Sequence, residues 1–129
     1  MSYKMTNLKE KYKDIIHSWN ETFEEDAESS RLVIQIRFKN QSRLEIKEKL
    51  IKEIDYLRYS YQWMEANNSL IIRWDNAPKH LDIGLHHKHI GTENKIEISQ
   101  EMNINKVLTF IAKIIGIFLL ISFTAIVFF

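Results

Sequence analysis

Cysteine, proline and glycine are absent or scarce in this sequence of 129 residues, which has no cysteine, one proline and three glycines. Without cysteine, the chain can form no disulfide, no thiolate zinc site and no iron–sulfur cluster, and it has no cysteine nucleophile. The scarcity of glycine excludes a glycine-rich phosphate loop. Excess charge of one sign is also missing, because 18 Lys and Arg residues are balanced by 17 Asp and Glu residues. This balance excludes a protein that binds nucleic acid through bulk positive charge alone.

One long hydrophobic run is present at residues 107–129, where Lys113 is the single charged residue. A helix of this length spans about 35 Å, enough for a hydrocarbon core of about 30 Å. We therefore predict a C-terminal membrane anchor, with residues 1–106 in the cytoplasm because Lys106 and Lys113 precede the uncharged stretch. The alternative is a helix packed on the protein itself, since its first apolar residues have helical spacing. Those residues are Ile104, Val107, Leu108, Ile111 and Ile115.

The segment 1–106 has the composition of one compact domain. Apolar residues at helical spacing predict an amphipathic N-terminal helix over 7–24. Alternating apolar and polar residues predict a sheet over 31–75, and its short turns favour an antiparallel meander. The strands are predicted at 31–39, 43–51, 56–64 and 70–75. The predicted fold class is therefore α+β, an antiparallel meander of four or more strands flanked by an N-terminal and a C-terminal helix.

Histidines cluster just beyond the fourth predicted strand, in a predicted loop over 76–91. Four of the five histidines lie within ten residues, at His80, His86, His87 and His89. Arg73, Asp75 and Asn76 stand at the end of the strand and add a guanidinium, a carboxylate and an amide. Because loops that follow strands often carry function, this segment is the candidate site.

General acid–base catalysis is the first interpretation of the cluster, because imidazole titrates near neutral pH. His87 and His89 share a face of an extended segment and are predicted as the proton-transfer pair, with Asp75 orienting a ring. Arg73 and Lys88 are predicted to contact a phosphate. Such a set suits metal-independent cleavage of RNA, in which the 2′-hydroxyl attacks the adjacent phosphate, so no metal and no other cofactor is expected. The predicted catalytic residues are His87, His89, Asp75, Arg73, His80 and His86.

A second group of residues is predicted to bind the substrate. Tyr59 and Tyr61 could stack on bases, although an aromatic row of period two is more often the core of a sheet. Arg58 lies on the other side of the same strand, which could line a polar cleft, and Asn76 could bind a substrate oxygen. The predicted substrate-binding residues are Lys88, Asn76, Tyr59, Tyr61 and Arg58.

Two other interpretations of the histidines stay open. The first is a zinc or manganese site, formed by His86, His87 and His89 with Asp75 or His80. Their spacing matches no known helical metal-binding pattern, which weakens it. The second is a surface loop whose histidines have no function.

Three motifs resemble those of the TumE family of toxins from prokaryotic toxin–antitoxin systems. The motifs are RYSYQW at 58–63, LIIRWDNAPKH at 70–80 and HHKHIG at 86–91. The resemblance implies a growth-inhibiting toxin, neutralised by a cognate antitoxin that is expected to be a helix-turn-helix protein, and acting by RNA cleavage. The motifs carry over Arg73, Asp75, Asn76, His80, His86, His87, Lys88 and His89.

The sequence departs from the family pattern at Lys79 and Leu85, where we expect histidine and proline. The apolar stretch after Gly116 is a further departure, because the pattern ends in a short amphipathic helix. An alternative function is therefore a non-enzymatic toxin or binding module, which blocks its target by occupancy or acts through a membrane-associated tail. A metal-dependent hydrolase is another.

Overall fold

The fold is a seven-stranded antiparallel sheet with a helix at each end of the chain, which confirms the predicted α+β meander. In this computed structural model the backbone is described for residues 2–128, and the side chains for residue 5 and residues 7–116. The helices are α1 (Ser2–Lys11) and α2 (Ile104–Phe128). The strands are β1 (Ile16–Glu25), β2 (Ser29–Phe38), β3 (Arg43–Ile51), β4 (Tyr56–Met64), β5 (Leu70–Asp75), β6 (His87–Ile90) and β7 (Ile96–Ile98). They follow one another in chain order across the sheet.

The two faces of the sheet differ because side chains alternate along each strand. The helix face carries the apolar core and is covered by α2, whose Phe110 ring packs edge-on against Trp63 and Trp74. Its buried strand residues are Leu32, Ile34, Ile36, Phe38, Leu44, Ile46, Tyr59, Tyr61, Trp63 and Trp74. The opposite face, called the polar face below, carries the charged residues of β2 to β4 other than Glu48, and the candidate site on β5 and β6.

Helix α2 is held on the sheet by polar as well as apolar contacts. Asn103 caps its first turn, because the side-chain Oδ1 accepts the Lys106 backbone N–H at 2.8 Å. The Tyr12 hydroxyl lies 3.1 Å from Asn105 Oδ1 and 2.8 Å from Thr109 Oγ1. These contacts join the segment after α1 to the first turns of α2.

The helix predicted over 7–24 is wrong. Helix α1 ends at Lys11, and β1 begins at Ile16 as the edge strand paired with β2. Residues four apart share a face both in a helix and in a strand, so the spacing of Trp19 and Phe23 does not distinguish the two. Pairing with the whole length of β2 decides in favour of a strand.

The sheet also extends beyond the predicted segment 31–75. The predicted histidine-rich loop over 76–91 contains a short 3₁₀ helix at Pro78–His80 and the strand β6, and β7 follows it. With four and three residues, β6 and β7 are too short to show a clear alternation. The boundary predicted after residue 106 falls inside α2.

Within the residues that the structure describes, no helix is long and apolar enough to cross a membrane. The predicted anchor at 107–129 falls in large part on residues 117–129, whose side chains lie outside the described residues. In the described part of α2, the residues Ile104, Val107, Leu108, Ile111 and Ile115 are buried in the core.

Candidate active site

The register between β5 and β6 assembles the candidate site on the polar face. Asp75 is paired with His87, and Arg73 with His89. Cross-strand partners have Cβ atoms about 4.5–5.5 Å apart, and residues two apart on one strand share a face. Two short strands therefore bring four functional side chains together.

The Asp75 carboxylate is the centre of this cluster and is buried. Its Oδ1 lies 2.9 Å from His87 Nδ1, and its Oδ2 lies 3.1 Å from His89 Nε2. Two donors hold the carboxylate in place, since the Ala77 backbone N–H donates to Oδ1 at 3.0 Å and Arg73 Nε donates to Oδ2 at 3.1 Å. Both oxygens are thus oriented toward the two rings.

The two histidine rings are completely buried, at 0% and 1% exposure for His87 and His89. The nitrogen of each ring that faces away from Asp75 donates to a backbone carbonyl. His87 Nε2 lies 3.0 Å from Ala77 O, and His89 Nδ1 lies 2.8 Å from Glu93 O. The nitrogens that face Asp75 make no aligned hydrogen bond, although both are close to its oxygens.

Arg73 is held between two carboxylates. Its two terminal nitrogens both donate to Glu93, one of them at 2.7 Å, while its Nε donates to Asp75. Burial alone would lower the pKa of Arg73, but the bonds to Glu93 and Asp75 outweigh burial and raise it. The hydrogen bonds from Arg73 in turn lower the pKa of Glu93. The guanidinium is therefore a fixed charge whose hydrogen bonds are largely used within the protein.

His80 approaches the cluster from the 3₁₀ helix that follows β5. Its ring centroid lies 5.2 Å from that of His87 and 5.5 Å from that of His89. Unlike them it is only half-buried. His80 is thus the ring of the cluster that solvent reaches.

His86 is not part of the cluster, because its ring lies on the helix face. Its Nδ1 is 2.7 Å from the Tyr59 hydroxyl, and the two rings stack with centroids 5.8 Å apart. The Tyr59 hydroxyl also accepts the backbone N–H of Met102, just before α2. These contacts connect β4, the end of the 3₁₀ loop and the start of α2.

Most of the predicted substrate-binding residues lie away from the polar surface. Tyr59 and Tyr61 are buried in the core, where burial raises the pKa of both phenols, so neither ring is presented to bases. Asn76 is buried, and its amide bonds the Tyr59 backbone N–H and the Leu57 carbonyl, both at 2.8 Å. Lys88 alternates with the two buried histidines and pairs with Trp74, so it belongs to the helix face. Arg58 is exposed on the polar face.

Two groups of the site were not predicted from the sequence. Glu93 binds Arg73 with its carboxylate and His89 with its backbone carbonyl, and Ala77 binds both Asp75 and His87 through its backbone. The backbone groups leave no trace in the sequence. Glu93 could have been found from the sequence, because Gly91 indicates a turn two residues after His89 and Glu93 lies in that turn. The structure agrees, since Gly91 has a φ of 73°.

Three basic side chains lie in a row beside the site on the polar face. Arg31 is paired with Lys49, and Lys49 with Arg58, which forms a row of three like charges across β2, β3 and β4. On its other side Arg31 is paired with the acidic Glu24 of β1. Like charges directly opposite each other destabilise a sheet. The row ends next to the cluster, because Arg58 is two residues from Ser60, the cross-strand partner of Asp75. We call these three residues the basic row.

A family model described as Toxin TumE matches residues 6–115. The chain belongs to the TumE toxin family. Membership of a toxin family implies a cognate antitoxin as partner. The match covers the whole sheet and α2 as far as Ile115, and it includes every residue of the site. No curated protein and no solved structure matches the chain.

Proposed function

We propose that this TumE-family toxin inhibits growth by cleaving RNA on the polar face of its sheet. The observation that carries the proposal is the basic row of Arg31, Lys49 and Arg58, which ends beside the cluster around Asp75. A polyanion would neutralise these three adjacent like charges, because each phosphate that pairs with a Lys or Arg side chain releases a counterion and so contributes to binding. Because the net charge is only +1, a nucleic acid would have to bind through local positive charge such as this row.

The chemistry proposed for the site is proton transfer during attack of a 2′-hydroxyl on the adjacent phosphate. This reaction needs an acid, a base and stabilisation of negative charge, but no protein nucleophile. His80 is proposed as the ring that meets the RNA, because it is half-buried while His87 and His89 are sealed from solvent. Their burial argues against the proton-transfer pair expected from the sequence. Arg58 is proposed to hold the phosphate.

The partner proposed for this toxin is an antitoxin of the helix-turn-helix type, as the resemblance of the motifs implies. Co-expression with the product of a neighbouring helix-turn-helix gene should restore growth. Growth that stays inhibited would argue against this partner.

The test of the proposal is charge reversal in the basic row. The variant R31E/K49E/R58E should lose growth inhibition on induction and should leave cellular RNA intact, because it replaces three phosphate contacts by repulsion. The control variant K9E/K13E/K39E changes net charge by the same amount at exposed positions off the row and should act as the parent does. Both purified proteins are compared by circular dichroism and by cleavage of total RNA at low and high salt.

A folded triple variant that still inhibits growth and degrades RNA would refute the role of the row. A parent protein that inhibits growth without degrading any RNA, in cells or when purified, would refute RNA cleavage and favour action by occupancy.

A further inference from the structure

We propose that Asp75, His87 and His89 form a binding site for a single divalent transition-metal ion, with zinc as the best match to the donors. The inference rests on the proposed function, because it assigns a metal cofactor to the cluster proposed as the site of RNA cleavage. It departs from the metal-independent mechanism expected from the sequence. The ligand atoms of the three residues all lie within 4.8 Å of one another, and all three residues are buried.

The hydrogen bonds of the two rings determine which nitrogens carry protons. A backbone carbonyl only accepts, so His87 Nε2 and His89 Nδ1 must be the N–H groups in their bonds to Ala77 and Glu93. In a neutral ring the other nitrogen then carries a lone pair. Both lone pairs, at His87 Nδ1 and His89 Nε2, face the cluster.

These lone pairs meet a carboxylate that also only accepts. Asp75 oxygens lie 2.9 and 3.1 Å from the two nitrogens, where three acceptor groups would repel one another unless a cation joins them. Protons on both rings are one solution, but the two nitrogens make no aligned hydrogen bond to Asp75. A metal ion bound by the lone pairs satisfies all three groups.

The distances agree with a small ion. Zinc binds nitrogen and oxygen at about 2.0–2.1 Å, and tetrahedral coordination then separates neighbouring ligand atoms by roughly 3.3 Å. The separations of 2.9 and 3.1 Å run from the two ring nitrogens to different oxygens of Asp75, and the ligand atoms all lie within 4.8 Å of one another. The three residues are thus close enough to surround one ion after a shift of their side chains. Imidazole with one carboxylate is a common donor set for zinc.

Every ligand also has the outer partner that metal ligands have in proteins. Histidine ligands donate their second N–H to a carbonyl or carboxylate, and carboxylate ligands are hydrogen-bonded in turn. Here the rings donate to Ala77 and Glu93, and Asp75 accepts from Ala77 and Arg73.

Charge in the cluster is consistent with a cation. The positive charge of Arg73 would repel a metal ion, but Glu93 offsets that charge, because both of its carboxylate oxygens accept hydrogen bonds from the guanidinium. With the rings neutral, Asp75 leaves the cluster with one unbalanced negative charge. Three protein ligands leave a fourth position, as in catalytic zinc sites, and the half-buried His80 lies beside both ligand rings.

The experiment titrates the full-length chain with zinc chloride after treatment with a chelator. Calorimetry and metal analysis should give about one zinc ion per chain, and the thermal unfolding midpoint should rise with zinc but not with an equal concentration of magnesium. H89Q and D75N should weaken zinc binding by about 100-fold or more. The control H17Q, at an exposed histidine of β1, should bind as the parent does.

Because a ligand variant can fail to fold, the parent protein provides a second test. Cobalt in place of zinc should show the visible absorption of a four-coordinate ion, and X-ray absorption of the zinc form should show two imidazole ligands. A parent chain without saturable binding near one ion per chain overturns the site, as does folded H89Q with unchanged affinity.

RNA cleavage separates this inference from the proposed function. A chelator-treated chain that binds no zinc and still cleaves RNA removes the metal site and leaves RNA cleavage standing. A chain that binds zinc through these residues but cleaves no RNA supports the site and removes the proposed function.

Discussion

His86 and His87 are neighbours in the sequence, yet their rings lie on opposite faces of the sheet. His86 stacks on Tyr59 beside the first turn of α2, while Nδ1 of His87 lies 2.9 Å from Asp75 on the polar face. The alternation of a strand is the cause, since successive side chains point to opposite sides. The histidine-rich segment is therefore two groups with separate tasks, one in packing and one in the candidate site.

Alanine at His86 should affect stability but not activity, whereas alanine at His80 should affect activity but not stability. H86A removes a hydrogen bond and a stacked ring from Tyr59, so it should lower the free energy of unfolding by about 1–2 kcal/mol and leave growth inhibition intact. H80A should change stability little but reduce RNA cleavage by about 100-fold, the smallest usual contribution of a general acid or base. Urea unfolding and an RNA cleavage assay measure the two quantities. Loss of cleavage in a folded H86A protein would contradict the assignment.

Asn76 should matter for stability rather than for substrate. Its buried amide makes two hydrogen bonds to the backbone of β4, so N76A should cost about 2–4 kcal/mol in urea unfolding. N94A, at an exposed asparagine of the turn after β6, is the matched control and should cost less than about 0.5 kcal/mol. An N76A protein as stable as the control would show that water replaces both bonds.

Glu48 should make stability depend on pH. Burial raises the pKa of this carboxyl, and the bond from the Tyr61 hydroxyl offsets only part of that rise. A raised pKa in the folded state contributes stability below the ordinary value of 4.5, and this contribution is lost as pH rises through the folded value. We therefore expect E48Q to be more stable than the parent at pH 7 and to approach it below pH 4.5. Urea unfolding at both pH values is the measurement, and an equal difference at the two would exclude titration of Glu48 as the cause.

A chain that ends at residue 116 tests the membrane interpretation. The region matched by the family and the described part of the core both end at Ile115, so we expect the shortened protein to fold. It should also keep growth inhibition if the polar face is the site of action. Cell fractionation and growth curves compare it with the full chain. A folded but harmless short chain would instead favour action through a membrane-associated tail.

The central strands were predictable because apolar residues recur at every second position. In β2 these are Leu32, Ile34, Ile36 and Phe38, and β3 begins the same way with Leu44 and Ile46. The turn before β5 has an asparagine, Asn68, at a φ of 72°. The first strand was not predictable in the same way, since Trp19 and Phe23 satisfy helical spacing equally well. Only the free edge of β2, which the local pattern does not contain, decides that segment as a strand.

The composition of the site was determined by the sequence alone: which imidazoles, which carboxylate, and that His87 and His89 face the same way. Tertiary structure decided the rest. The pairing of β5 with β6 places Asp75 against His87, and the turn after β6 brings Glu93 to Arg73. Burial of His87 and His89 then leaves His80 as the ring that solvent reaches. The alternation of side chains along a strand is a local property that adjacent residues in the sequence reveal. Register, burial and backbone hydrogen-bond partners depend instead on residues distant in sequence.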